Sequence, residues 1–370
     1  MTTHRAIVDA LLKSAGAEES VVLATVVRIS GSSYGGVGTR MVARVDGSTV
    51  GIVSGGCLES DLAEHARGVH RSRVPRVVTY DTRADDETAW GLGLGCNGLI
   101  DVLLEPLTAA QAAATGRLME HALTARSPGV LATVIASPQG EEGAPAVGAH
   151  VLFSDDAIET IGDWGDHTIV AKTRRHIGDA LAAGRRGLVE TYDGVEVSYE
   201  VIRPAVRLVI CGTGPDVVPL VKVGHQLGWY VSVVDHRPVV PEHEERFPGA
   251  RLLECAEPEK LESAVAITRS TAAVVMSHHY ARDLQYVRAL LASDAQYIGV
   301  LGPRARSERM LEDMSGPEKT VAASRIFAPI GMDLGGDGPE AIALSIAAEV
   351  SAVLDSRDGG HLRDRNAPLH

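Results

Sequence analysis

Two cysteines lie in glycine-rich turns of the N-terminal half, where residue type and spacing suit ligand binding. The residues in question are Gly55, Gly56, Cys57 and Glu59 in the first turn, and Gly95 and Cys96 in the second. Flanking glycines expose backbone N–H groups and let a ligand approach closely. A helix predicted over 57–67 would begin at Cys57, and a helix start favours the thiolate form of a cysteine. The pattern therefore predicts two ligand-binding thiols, with small buried structural cysteines as the alternative.

A third glycine-rich loop joins the first two predicted strands. It begins at Ser32 and Ser33 and ends on the basic residue Arg40. Backbone amides and a guanidinium suit an anionic group. A solvated connection between two strands explains the same residues equally well, so both interpretations stay open.

The second half contains a strand that runs directly into a glycine turn. Residues 207–211 (RLVIC) are followed by Gly212-Thr-Gly214 and a predicted helix, an arrangement typical of pyrophosphate binding. Asp235 lies 21 residues after Gly214, where a carboxylate would bond ribose hydroxyls. Arg237 could accept a phosphate, so NAD and NADP are both candidates. Val217 replaces the third glycine of the dinucleotide pattern, and a Rossmann scaffold with a repurposed crevice is the alternative.

Further polar residues follow later strands of the same half. His278 comes after the strand predicted over 272–276, and Gly302 and Arg304 come after the strand over 297–301. Open parallel sheets bind ligands at the carboxyl ends of their strands. We therefore add these residues to the predicted cofactor-binding set, while Cys211 and Cys255 are predicted to be structural.

The elements that must position these residues form two domains and a tail. We predict an N-terminal α/β domain over 1–204, a Rossmann-like doubly wound parallel sheet domain over 205–356, and an unstructured tail over 357–370. No internal repeat is apparent. In the first domain, strands are predicted over 21–29, 41–45, 49–54, 77–81, 100–104, 130–136, 151–153, 187–192 and 195–201, with helices over 57–67, 108–126 and 169–183. Asp46-Gly47 predicts a hairpin turn.

Composition excludes several functional classes. The net charge of the 370 residues is -13 and no Lys/Arg run stands out, so we expect no nucleic-acid partner. No apolar run reaches the roughly 18 residues of a membrane span, and the N-terminus lacks the layout of a signal peptide. We therefore expect a cytoplasmic protein without a membrane span. A homodimer is the base-rate expectation for its assembly.

Taken together, the segments resemble the xanthine dehydrogenase accessory family of the XdhC/CoxI type. The resemblance spans nearly the whole chain and lies in eight segments in order: GSSYGGVGTRM (31–41), GIVSGGCLES (51–60), WGLGLGCNGLIDVLLEP (90–106), VICGTGPDVV (209–218), VVDHRP (233–238), VVMSHHYARD (274–283), QYIGVLGPRAR (296–306) and RIFAPIGMDLGGDGPEAIALSIAAEV (325–350).

The resemblance implies a chaperone that binds molybdenum cofactor (molybdopterin) and passes it to an apo molybdenum hydroxylase after sulfuration. A cysteine desulfurase would be a further partner. The two cysteine turns would lie near the cofactor, and the Rossmann domain would hold a nucleotide or phosphate portion. The residues alone leave two other hypotheses open: an NAD(P)-dependent oxidoreductase, and a sulfur-handling enzyme with Cys57 or Cys96 as nucleophile.

Overall fold

The computed structural model describes residues 4–31, 33–81, 98–138, 140–155, 157–165 and 168–364. The chain divides into two compact units between Pro204 and Ala205. No helix within the described residues is both long enough and apolar enough to cross a bilayer.

The N-terminal unit begins with a module built around an antiparallel sheet. Its elements are α1 (His4–Gly16), β1 (Val21–Gly31), β2 (Arg40–Arg44), β3 (Thr49–Gly51), α2 (Glu59–Ser72), β4 (Arg76–Asp81) and β5 (Gly98–Leu107). The strand order is β3-β2-β1-β5-β4, and the predicted Asp46-Gly47 turn joins β2 to β3. Strand β1 is central, and alternate residues such as Val22 and Ala24 pack in one cluster with Leu62 and Ala66 of α2.

A second module follows in the same unit. Its elements are α3 (Ala109–Thr124), β6 (Gly129–Ala136), β7 (His150–Phe153), β8 (Ile158–Ile161), α4 (Thr168–Thr173), α5 (Ile177–Ala183), β9 (Leu188–Tyr192) and β10 (Val195–Ile202). The strand order β8-β7-β6-β10-β9 reproduces that of the first module. Both modules run helix, three-strand meander, helical segment and hairpin. The repeat escaped the sequence analysis because it preserves topology rather than residue identities.

The two modules pack directly on each other inside the N-terminal unit. Helix α1 lies against α3, where Gly116 approaches the side chain of Leu12. The hydroxyl of Ser198 on β10 donates to the carbonyl oxygen of Val27 on β1 at 2.5 Å. The two sheets therefore share an interior, and polar groups from one module can pair with groups from the other.

The C-terminal unit is a parallel sheet covered by helices on both faces. Its elements are β11 (Arg207–Cys211), α6 (Val217–Gln226), β12 (Tyr230–Asp235), α7 (Pro241–Arg246), β13 (Arg251–Glu254), α8 (Leu261–Ala264), β14 (Thr271–Val275), α9 (Tyr280–Ala292), β15 (Tyr297–Val300), α10 (Arg304–Glu312), α11 (Gly316–Arg325), β16 (Ile326–Phe327) and α12 (Pro339–Leu354). The strand order is β13-β12-β11-β14-β15-β16, which confirms the predicted fold class. Strand β13 was not predicted because its four residues carry little periodicity.

The order of strands reverses between β11 and β14. Connections on either side of this point run to opposite faces of the sheet and leave a crevice at the carboxyl ends of the strands. The turn after β11 and the loop after β14 therefore meet there. Of the predicted tail, Leu362–Asp364 form a 3₁₀ turn, and residues 365–370 lie outside the described part of the chain.

Candidate functional site

The carboxylate of Glu59 holds the turn that carries Cys57 in place. Glu59 Oε1 accepts hydrogen bonds from the backbone N–H groups of Val53 and Ser54 at 2.8 Å each, and Oε2 accepts from the Ser54 hydroxyl at 2.9 Å. The same hydroxyl accepts from Leu58 N–H at 2.7 Å. The helix predicted over 57–67 is present, but its bounds differ. Helix α2 begins at Glu59 and continues to Ser72, so Cys57 lies two residues before the helix.

Glu59 is thereby committed to the fold of the turn. Burial raises the pKa of its carboxyl, but the hydrogen bonds from Ser54 and Val53 outweigh burial and hold the pKa below its usual value. Its oxygens already accept several hydrogen bonds, so the geometry argues against the predicted ligand-binding role. Its function is to fix the loop that presents Cys57.

Cys57 itself is exposed, next to two glycines in conformations that favour glycine. Gly55 has φ +77° and Gly56 has φ +112°. A Cβ placed on Gly56 would meet no heavy atom of the described residues within 4 Å. A Cβ on Gly55 would lie 3.1 Å from the ring of Tyr34. The turn thus exposes a thiol beside backbone that a ligand can reach.

The Tyr34 ring brings the loop after β1 next to this turn. Ser33 donates from its hydroxyl to the carbonyl oxygen of Gly35 at 2.6 Å, which closes the loop on itself. Ser32, Gly95 and Cys96 lie outside the described residues. Their predicted roles therefore stay predictions.

Arg40, the basic end of the loop, is turned into the protein. Its Nη1 donates to Gly38 O at 2.8 Å and to Glu200 Oε1 at 2.7 Å, while Nη2 lies 2.5 Å from Glu200 Oε2. Both side chains are buried. Burial raises the pKa of Glu200, but the Arg40 charge and hydrogen bonds outweigh it and hold the pKa below its usual value. A guanidinium paired in this way is a poor anion ligand, and Arg40 instead joins β2 to β10.

In the C-terminal unit, Gly212 is required by a close approach of two chain segments. Its φ is +136°, and a Cβ there would lie 2.5 Å from the carbonyl oxygen of Met276. The turn after β11 is therefore packed directly on the end of β14. Val217, which stands where the dinucleotide pattern has a third glycine, is buried in the core as the first residue of α6.

Asp235 lies at the end of β12 as predicted, but its carboxylate is already engaged. Oδ2 accepts from the Thr213 hydroxyl at 2.6 Å and from Arg237 Nη2 at 2.9 Å. Oδ1 accepts from the backbone N–H and the Nε of Arg237, each at 3.0 Å. Burial raises the pKa of Asp235, but these hydrogen bonds outweigh it and hold the pKa far below its usual range. A ribose hydroxyl would have to displace Arg237.

His278 and Asp216 face each other across the crevice. His278 Nε2 lies 2.9 Å from Asp216 Oδ2, and the backbone of His278 is left-handed with φ +61°. A Cβ on Gly214 would lie 3.5 Å from the same His278 nitrogen. The structure therefore brings Gly214 and His278 together at the strand-order reversal, as the sequence predicted, and adds Asp216 as the partner of the imidazole.

Known proteins match this chain over nearly its full length. The family model described as XdhC and CoxI family matches residues 14–81, and the model of the XdhC Rossmann domain matches residues 208–350. A protein of Bacillus subtilis (strain 168), described as a probable xanthine dehydrogenase subunit, is 30% identical over 95% of this chain and 97% of its own length. The chain belongs to the XdhC and CoxI family.

Two further relatives of this XdhC and CoxI family protein have informative names. The molybdenum cofactor insertion chaperone PaoD of Escherichia coli (strain K12) is 25% identical over 95% of this chain and 88% of its own length. A crystal structure described as a xanthine dehydrogenase from Bacillus halodurans is 29% identical, covers 95% of this chain and 97% of its own, and has a TM-score of 0.73.

The structure adds a buried carboxylate that the sequence analysis missed. Asp283 of α9 is fully buried, accepts from the Ser277 hydroxyl at 2.5 Å, and pairs with Arg306 Nη2 at 2.6 Å. Burial raises the pKa of Asp283 above its usual value. A signal was present in the sequence, because Asp283 occupies the same helix face as the apolar residues Val287 and Leu290.

Arg306 takes the position at the sheet edge that was predicted for Arg304. Arg304 is exposed at the first turn of α10, whereas Arg306 points inward to Asp283. Gly302 lies beside the Arg306 side chain. Among the described residues, no group of three or more His, Cys, Asp or Glu side chains is arranged to hold a metal ion.

Proposed function

We propose that this XdhC and CoxI family protein binds molybdenum cofactor as cargo and delivers it to an apo molybdenum hydroxylase of the xanthine dehydrogenase type. The observation that carries the proposal is the exposed thiol of Cys57 on a turn fixed by Glu59. A soft thiolate suits a metal centre that is bound through sulfur. The name of the PaoD relative supports the same role.

The turn fits a binding role because the thiol is both presented and fixed in position. Glu59 accepts hydrogen bonds from the backbone of Val53 and Ser54, so the turn that carries Cys57 is already ordered before a ligand binds. Preorganisation of this kind lowers the entropic cost of binding. Of the residues that the structure describes, none lies within 4 Å of a Cβ placed on Gly56, which supports a ligand approaching the backbone there.

The proposed partners are the apo hydroxylase that receives the cargo and a cysteine desulfurase that supplies sulfur to it. A homodimeric assembly and a cytoplasmic location are parts of the same proposal. NAD(P)-dependent oxidoreduction is the competing hypothesis. The carboxylate predicted to bind ribose, Asp235, is engaged by Thr213 and Arg237, which disfavours a dinucleotide.

The test is anaerobic binding of molybdenum cofactor to the purified full chain. We expect stoichiometric binding that weakens at least about tenfold in Cys57→Ser, because a metal–thiolate contact is lost. Cys255→Ser is the matched control, because that thiol is buried and donates to Glu257 O, a bond that a serine hydroxyl can also make. Cys96→Ser tests the second predicted thiol.

The second readout is activation of the apo hydroxylase by the loaded protein. Cofactor binding that is unchanged in both Cys57→Ser and Cys96→Ser would refute the role of the thiols. Absence of cofactor binding together with micromolar NAD or NADP affinity would favour the oxidoreductase.

A further inference from the structure

Tyr34 is an exposed aromatic side chain in the loop after β1. Its relative exposure is 45%, whereas every other Phe, Trp or Tyr that the structure describes is buried or half-buried. Aromatic side chains carry a large apolar area, so proteins mostly bury them or use them to bind a partner. The place where this ring lies is therefore informative about binding.

The ring lies against the turn that carries Cys57. Three of its carbon atoms, Cε2, Cδ2 and Cζ, are 3.1–3.4 Å from the place that a Cβ on Gly55 would take. Cys57 follows Gly55 by two residues, so the Cα atoms of these two residues are at most about 7 Å apart. Because Tyr34 and Cys57 are both exposed within this short span, one small ligand can contact the ring and the thiol together.

Hydrogen bonds fix the loop that carries Tyr34. The hydroxyl of Thr39 donates to the carbonyl oxygen of Gly36 at 2.7 Å. The backbone N–H of Gly38 donates to the carbonyl oxygen of Val26 on β1 at 2.8 Å. The ring is therefore held beside the turn before a ligand binds, which lowers the entropic cost of binding.

Packing of the turn does not by itself account for the exposed ring. The turn is anchored without Tyr34, because Val53 and Leu58 on either side of it are buried in the core of the first module. Glu59 adds its hydrogen bonds to the backbone. A ring that only covered the turn would be largely buried, yet almost half of Tyr34 is exposed. The exposed part of the ring is available to a ligand.

The segments that carry the ring and the thiol are uncharged. Residues 33–37 (SYGGV) and 51–58 (GIVSGGCL) contain no Asp, Glu, Lys, Arg or His. An ionic group finds no counter-charge on these segments. A neutral aromatic heterocycle needs none, because it stacks on a tyrosine through its π-face. The chemistry of this surface therefore favours an uncharged planar ring over a phosphate group.

We propose that Tyr34 binds and positions the cargo of the Cys57 turn by stacking on its uncharged planar ring, the pterin of molybdenum cofactor. Cys57 then contacts the metal centre of the same ligand. This inference rests on the proposed function and deepens it, because it assigns recognition of the ring to a side chain that the sequence analysis did not select.

The test is anaerobic binding of two probes to the full chain. Molybdenum cofactor is followed by the molybdenum retained with the protein, and 6-hydroxymethylpterin, which has the ring but neither metal nor phosphate, by quenching of its fluorescence. Tyr34→Leu should weaken binding of both probes about tenfold, since a stacking contact is lost, whereas Tyr34→Phe should stay within about twofold of the natural chain. Ile158→Ala is the matched control, because Ile158 on β8 is 48% exposed, and it should change neither affinity.

Cys57→Ser separates the ring from the metal. It should weaken binding of the cofactor and leave binding of 6-hydroxymethylpterin unchanged, because that probe has no metal to contact the thiol. Alkylation of Cys57 under native conditions should proceed at the same rate in Tyr34→Leu as in the natural chain, which checks that the turn keeps its conformation.

Three results would overturn the role of Tyr34. Cofactor binding by the natural chain that is unchanged in Tyr34→Leu would remove the ring from the site and leave the proposed function standing. An equal loss in Tyr34→Phe and Tyr34→Leu would exclude stacking, as would weaker binding accompanied by a changed alkylation rate of Cys57. Absence of cofactor binding in the natural chain would instead overturn the proposed function and this inference together.

Discussion

The two modules of the N-terminal unit share one topology, but the connection that follows the three-strand meander is exposed in the first module and buried in the second. In the first module, the segment between β3 and α2 exposes Gly55, Gly56 and Cys57. In the second, the segment between β8 and α4 buries Trp164, whose Nε1 donates to the carbonyl oxygen of His150 at 2.9 Å.

Of these two connections, the one that buries Trp164 stabilises the fold, and the one that carries Cys57 exposes a side chain to ligands. Trp164 packs in the core of the second module with residues such as Val151 and Tyr199, so that connection stabilises the fold. The first connection is held by the hydrogen bonds of Glu59 and leaves the thiol outside. The residues of this one loop therefore determine whether it packs into the core or exposes a side chain that could bind a ligand.

The largest effect is expected at the ion pair that joins the modules. Glu200→Gln leaves the Arg40 charge buried without a counter-charge, and should lower the free energy of unfolding by about 3–5 kcal/mol. Urea unfolding followed by circular dichroism measures this. Glu120→Gln, on the exposed face of α3, should change it by no more than about 0.5 kcal/mol. Equal stabilities of the two variants would show that the modules do not depend on this pair.

The next effect concerns the closed connection. Trp164→Phe keeps an aromatic ring but removes the indole N–H, leaving the His150 carbonyl oxygen short of a donor in a buried place. We expect a loss of about 1–3 kcal/mol in the free energy of unfolding, measured in urea. A loss below about 0.5 kcal/mol would mean that the connection is not held by this bond.

A smaller effect is expected at the carboxylate under the open connection. Glu59→Gln keeps the shape but weakens the charged hydrogen bonds to Val53 and Ser54, and should cost about 1–2 kcal/mol at pH 7. Because the folded pKa of Glu59 lies below its ordinary value of 4.5, its contribution is fully present above pH 4.5 and is lost as the pH falls through the folded pKa. The stability difference between the natural chain and the variant should therefore shrink on acidification below pH 4.5. A constant difference from pH 7 to pH 3 would contradict this account.

The smallest effect on stability is expected at the exposed thiol. Cys57→Ser should change the free energy of unfolding by less than about 0.5 kcal/mol, since the side chain packs on little. Under native conditions, alkylation followed by peptide mass spectrometry should label Cys57 quickly and Cys211 slowly. Burial removes Cys211 from the reagent and raises its pKa. Equally slow labelling of both would place Cys57 in a closed environment and weaken its proposed role.

Much of the architecture was predictable from local pattern. The Asp46-Gly47 hairpin and the β11 strand entering its glycine turn both follow from turn chemistry and apolar periodicity. Strand β8 was missed because it is short and little buried. The repeated topology was missed because two sheets can share a strand order with different side chains.

The candidate site was less predictable, because a sequence does not show whether a polar side chain is already paired with another side chain of the protein. Arg40 and Asp235 match the residue types that bind phosphate and ribose, yet both are held by side chains of this chain. Asp283 was not among the predicted site residues, although its carboxylate is fully buried at the sheet edge.

The sequence by itself determined the elements, the parallel character of the C-terminal sheet and the glycine turns, because turns and periodicity are properties of neighbouring residues. Only the tertiary structure decided which polar side chains remain available to bind a ligand. Arg40 and Glu200 are 160 positions apart, and Asp283 and Arg306 are 23 apart. A buried charge needs a partner, and the fold chooses that partner from distant parts of the chain. Cys57 stays exposed because the described part of the fold packs little against it.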